Sequence, residues 1–261
     1  MARCLAYFYF WSYTVEKFRR FIRILLVGYN EQPASKRARH PIRSQYIHLK
    51  KVWTNRHYSD FGIERLIRLF LASVLFVFPG LYFRAAFSSL GLIARKLAVD
   101  FYVILKLLIP VVFFYFHLTS HLVIALFSAY LGAETLVYLA SLIYLSNEFA
   151  QPISFRRSLT SLFLNYIEIC LDYAVIYAYC NANIPHFFKT KLTSGMEAVY
   201  FSFATSATVG FGDITTVHKL GQALVITQII IFLIFVGLFI NFFSSRIKDN
   251  THYREKEQNY V

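Results

Sequence analysis

Residues 193–213 read Thr-Ser-Gly-Met-Glu-Ala-Val-Tyr-Phe-Ser-Phe-Ala-Thr-Ser-Ala-Thr-Val-Gly-Phe-Gly-Asp. The first half is too apolar for an ordinary loop, and the second half is too polar and glycine-rich to cross a membrane. Ser194-x-x-Glu197 matches a capping box, in which the Ser oxygen accepts the amide three residues on and the Glu returns to the cap amide, so a helix is predicted to begin near Gly195. About twelve residues at about 1.5 Å each carry that helix about 18 Å, roughly half a bilayer's hydrocarbon core, before Gly210 breaks it. Irregular backbone at such depth is tolerated only where protein buries it or where it lines a water-filled path.

The rest of the chain places this stretch in a membrane. Of 261 residues, 57% are hydrophobic, 19% aromatic and only 16% charged, and the mean hydropathy is +0.48. Those values exclude an ordinary soluble domain and a disordered chain. Lys and Arg outnumber Asp and Glu by 27 to 14. In a soluble chain this excess would suggest nucleic acid; in a membrane chain it points to cytoplasmic loops and anionic lipid headgroups, and no nucleic-acid partner is expected. Cys4, Cys170 and Cys180 are odd in number and lack metal-ligand spacing, so neither a disulfide framework nor a zinc site is indicated. No small-residue cleavage site follows the apolar residues 5–11, and the N-terminus is expected to be retained. With no H-E-x-x-H, phosphate-cradling Gly loop or nucleophile–base spacing, neither an enzyme nor a cofactor is expected.

Working outward from 193–213, apolar runs fall at 69–83, 101–116, 122–145, 159–179 and 223–243. The first is interrupted by Pro79-Gly80 and flanked by cations, and is expected to dip in and return. If the basic N-terminus and Arg156-Arg157 are both cytoplasmic, an even number of crossings separates them, so 101–116 and 122–145 form a hairpin with its turn outside. The predicted fold class is therefore an all-α membrane protein. Residues 1–64 form a basic cytoplasmic or interfacial segment, with an amphipathic helix over 15–29 that lies in the interface or packs on the core. Residues 65–150 supply two to three membrane helices, residues 151–245 a two-helix module around the half-spanning helix, and residues 246–261 a cytoplasmic tail.

The breaking sequence Thr208-Val209-Gly210-Phe211-Gly212-Asp213 resembles the selectivity filter of potassium channels, in which Phe211 stands where Tyr is usual. The resemblance extends over the preceding helix and flanking spans, roughly residues 155–246, and implies passive potassium conduction through a homotetramer in a cell membrane. Stripping water from a cation is expensive in a low-dielectric medium, so a pore must offer replacement oxygens. By resemblance the carbonyls of Thr208, Val209, Gly210 and Phe211, with the Thr208 hydroxyl, are the ion sites. Gly210 and Gly212 supply the positive φ that turns successive carbonyls to one side. Asp213, Tyr200 and Thr205 are the implied filter supports. Phe201 and Ala204 occupy the positions expected to face Asp213, which leaves Tyr200 or Ser202 to substitute as its brace. Gly237 is either a gating hinge or a point of close helix packing.

Polar residues inside the apolar runs remain open to two readings. Glu168 and Asp172 lie four apart on one helix face, either near the pore as cation stabilisers or proton sensors, or satisfied by Tyr residues or a cation from another helix. Asp100 is equally ambiguous, and Glu134 and Lys106 are expected to pair across the hairpin. His117, His121, His186 and His218 fall at the outer surface, as pH sensors or as simple polar residues. Arg65-x-x-Arg68 supplies too few cations for a voltage-sensing helix, so weak voltage dependence is expected. Two rivals stand beside the potassium channel: a weakly selective cation channel, and a non-conducting membrane scaffold or regulatory subunit.

Overall fold

The computed structural model describes residues 16–17, 40–54, 62–87, 91–144 and 155–258. The amphipathic helix expected over 15–29 lies almost entirely outside them. Among the described residues eight α-helices follow in order: α1 Pro41–Thr54, α2 Gly62–Val74, α3 Pro79–Ala86, α4 Gly91–Tyr115, α5 Leu122–Tyr144, α6 Phe155–Asn183, α7 Gly195–Ser206 and α8 Lys219–Gln258. Among the described residues there is no strand, only an isolated bridge between Phe188 and Thr216. The chain is an all-α membrane protein.

Among the described residues four helices are long and apolar enough to cross a bilayer, over Leu97–Tyr115, Leu122–Ser141, Arg156–Asn183 and Lys219–Ile240. These are the four runs expected to cross. The run with Pro79-Gly80 forms a bent pair, α2 and α3, meeting at 55°, the geometry of a broken span or a re-entrant loop. Proline fixes φ and has no N–H to donate, so it opens α3 at its first turn and cannot continue α2. Helix α8 extends well past the apolar run, through the segment expected as a tail, because residues 244–258 contain neither Gly nor Pro to stop it.

α6 is the centre of the fold, packed by α4, α5 and α7. Its C-terminal half joins α7 through Tyr177, Cys180, Phe187, Phe188, Ala198 and Phe201. Its N-terminal half meets α5 and α8 through Leu139, Leu162, Ile169, Ile231 and Phe235. Helix α1 is tied to the bent pair by Gln45 Nε2 donating to the Ala72 carbonyl (3.1 Å) and by Arg65 donating to the Trp53 carbonyl (3.3 Å). Phe101, Ile104, Leu108 and Val111 on α4 remain exposed, as do Val123 and Leu126 on α5. In a bilayer those faces meet lipid, whose tails are as apolar as they are.

Candidate functional site

α7 begins where the capping signal places it. Ser194 Oγ accepts the Glu197 amide (3.3 Å), while the Glu197 carboxylate accepts the amide (2.7 Å) and hydroxyl (2.6 Å) of Thr193. The return thus reaches Thr193, one residue before the cap, as well as the expected Ser194 amide. These bonds to Thr193, with the Ser194 backbone adding to them, hold the Glu197 carboxyl below the usual carboxylate range.

The inward face of α7 is fixed by packing and by polar bonds. Phe201 lies edge-on to Tyr177 (4.9 Å) and to Phe188 (5.0 Å), so it faces α6 and not Asp213 as expected. Ser202 also points inward, donating to the Cys170 carbonyl (2.6 Å) and accepting from Gln228 of α8. Ser206 donates to the Tyr166 hydroxyl (3.0 Å).

The end of α7 unwinds in three steps. Ala207 donates to the Phe203 carbonyl (2.9 Å), Thr208 to that of Thr205 (3.0 Å) and Val209 to that of Ala204 (3.0 Å). Thr205 therefore supports the turn through its backbone. From there φ is positive at every second residue: Thr208 at 53°, Gly210 at 69° and Gly212 at 77°. In an extended strand carbonyls alternate sides; left-handed dihedrals at alternate positions cancel that alternation. Glycine adopts them freely, whereas β-branched Thr208 is strained there, and such strain persists only where the surroundings impose it.

Of the two candidate braces for Asp213, Tyr200 is the one in contact. Its ring stacks on Phe211 at 6.3 Å and 11°, and the Asp213 carboxylate near its hydroxyl raises the Tyr200 pKa. Val209 is 48% and Phe211 68% exposed in the single chain. Beyond Asp213 the backbone is tied to the loop after α6: Lys189 donates to the Thr215 carbonyl (2.9 Å) and Val217 to that of Phe187 (3.1 Å). Residues 208–213 are thereby anchored at both ends.

A second polar cluster lies away from this stretch. Lys106 Nζ of α4 is 2.9 Å from Glu168 Oε1 of α6 and 4.0 Å from Glu134 of α5. Thr135 Oγ1 accepts from Lys106 and donates to Glu168 (2.9 and 3.1 Å). Glu134 takes the Tyr102 hydroxyl (2.6 Å) and the Gly80 amide (2.8 Å). The expected Glu134–Lys106 partnership is thus the longer of two, and Glu168 is satisfied by a cation from another helix. Asp172 is buried with neither oxygen hydrogen-bonded, its carboxylate against Gly132 of α5. Asp100 binds Arg157 at 2.8 Å. A cavity of about 100 Å³ lies between the bent pair and α4–α6, lined by Lys106, Glu134, Arg84 and Asn165 among others.

Gly237 sits within an unbroken helix, and a Cβ there would meet nothing within 4 Å. Close packing at Gly237 is therefore not seen within the chain.

Comparison with known proteins bears on the segment just described. Residues 166–249 match the ion channel family model. The matched segment covers less than half of the chain and takes in most of α6, all of α7, the TVGFG stretch and most of α8. No curated protein and no solved structure matched the chain. Together with the four apolar helices, this match supports an integral membrane protein that carries a segment similar to ion channels.

Two features of the structure were not singled out by sequence reasoning. Gln228 is an amide in the apolar run 223–243, and its polarity was the signal. The Lys106–Glu168 partnership carried no signal, because the two residues are 62 positions apart in different helices.

Proposed function

We propose that the protein is a potassium-selective channel conducting passively through a homotetrameric pore. The observation that carries this reading is the positive φ at Thr208, Gly210 and Gly212, directly after a capped helix too short to span. That backbone aligns carbonyls of residues 208–211 as oxygens for a dehydrated cation, and the C-terminal end of α7 adds a partial negative charge beside its approach. One such strand cannot surround an ion. The exposed Val209 and Phe211 are the surfaces that neighbouring copies would cover, and closed rotational symmetry supplies the ring.

In this reading Asp213, Tyr200 and Thr205 support the filter, and Gly237, free of steric contact, is a hinge in α8. The basic N-terminal segment faces the cytoplasm and anionic headgroups of a cell membrane, with the C-terminus on the same side. Voltage dependence is weak, for want of a cation-rich span. The test is the reversal potential of purified protein in planar bilayers, potassium on one side and sodium on the other. A strongly potassium-favouring potential that Gly210→Asp abolishes is expected. Current without preference would favour a weakly selective cation channel, and folded tetramers without current a scaffold.

A further inference from the structure

We infer that Gln228 is a positioning residue for the filter, clamping α7 between α6 and α8 through its side-chain amide. Gln228 Nε2 donates to both the carbonyl (2.9 Å) and the hydroxyl (2.8 Å) of Ser202, and its Oε1 accepts from the Tyr177 hydroxyl (2.9 Å). Ser202 in turn donates to the Cys170 carbonyl (2.6 Å). All four residues are buried. One carboxamide thus fixes three helices, and every side-chain polar atom of Gln228, Ser202 and Tyr177 has a partner.

The geometry explains why an amide belongs in an otherwise apolar helix face. Residue 228 must donate twice to Ser202 and accept once from Tyr177, and of the neutral side chains only a carboxamide does both. A buried network this complete specifies one arrangement of its helices, and a gap in it leaves desolvated groups unpaired. Ser202 lies six residues before Thr208, about 9 Å along the axis at about 1.5 Å per residue, so a tilt of α7 at Ser202 reaches the filter carbonyls. The remaining polar tie of α7 to α6, Ser206 to Tyr166, does not involve α8. Gln228 is therefore the hydrogen-bonded route by which α8 holds the filter's supporting helix.

The inference rests on the channel reading, and its test separates the two. The potassium-to-sodium permeability ratio is taken from reversal potentials of the full chain in planar bilayers for wild type, Gln228→Leu, Tyr177→Phe and Thr227→Val. Thr227 is adjacent and bonds α8 to α6 through Tyr173 (3.0 Å) without touching α7. In conducting channels Gln228→Leu is expected to lower the ratio about tenfold, on the scale of one net buried hydrogen bond. Tyr177→Phe lowers it less, and Thr227→Val leaves it unchanged. A wild-type ratio retained in Gln228→Leu overturns the inference alone, as does an equal fall in Thr227→Val. Should Gln228→Leu fail to assemble, Tyr177→Phe decides, and an unchanged ratio there overturns it. A wild type without potassium preference overturns the channel reading and this one together.

Discussion

Lys106 Nζ of α4 lies 2.9 Å from Glu168 Oε1 of α6, both fully inside the helix bundle. This contact joins the helices that precede the segment similar to ion channels to the helix in which that segment begins. Removing one partner of such a pair strands an uncompensated charge, which costs about 3–5 kcal/mol, whereas replacing both is often neutral. Lys106→Met is therefore expected to lower thermal stability sharply. Lys106→Met combined with Glu168→Gln should recover much of the loss, because the side-chain carbonyl left at position 168 still accepts from Thr135. Thermal unfolding of the single and double variants in the same detergent checks this. Additive losses would mean that the pair is not an energetic unit.

Tyr200 and Asp213 make a second test. Tyr200→Phe keeps the stack on Phe211 and deletes only the hydroxyl that reaches the Asp213 carboxylate. The expected outcome is faster decay of potassium current during sustained opening, with conductance of the first openings unchanged. Decay indistinguishable from wild type would remove Tyr200 as a brace.

The fold was legible where the signal is local. Ser194-x-x-Glu197 marked the start of α7, Gly210 and Gly212 marked the backbone reversal, and hydrophobic runs marked each span. Pro79 marked the break in the bent pair. What escaped depended on which face a helix turns toward its neighbours. Phe201 was expected against Asp213 but faces Tyr177, because the aromatic residues of the loop after α6 complete a pocket there that no spacing rule describes. Glu168 found Lys106 ahead of Glu134's competing claim because α4 and α6 are adjacent in space, a fact set by tertiary packing alone. Gln228 passed unremarked as an amide within an apolar run, and only its partners on two other helices give it meaning.

The Glu197 cap has a pH dependence of definite sign. Its carboxyl is held low by the bonds from Thr193, so its contribution is fully present above the ordinary carboxylate pKa of about 4.3 and is lost as pH falls from there through the lowered folded value. Hydrogen exchange at the Thr193 amide, corrected for intrinsic rates, should show constant protection from neutral pH to about pH 5 and declining protection below about pH 4.3. In Glu197→Gln the protection should be weaker and flat over the same range. A wild-type decline centred well above the ordinary carboxylate value would contradict the assigned bond.

Thr208 and Gly210 share positive φ but differ in what they give up for it. At Gly210 (φ 69°) a Cβ would meet no neighbouring atom within 4 Å in the single chain, so Gly210→Ala pays only for its backbone, about 1–2 kcal/mol for a left-handed L-residue. Thr208 (φ 53°) already bears that strain and carries a hydroxyl where the carbonyl row begins. If the strain is retained for the hydroxyl's sake, Thr208→Ser should conduct with near-normal selectivity. Thr208→Gly should relax the backbone, stabilise the fold by a comparable amount of about 1–2 kcal/mol at most, and yet lose potassium preference. The two quantities are read separately, by thermal unfolding and by reversal potential. Thr208→Gly channels that were both more stable and fully selective would show that the hydroxyl contributes no ion ligand and that the left-handed turn alone suffices.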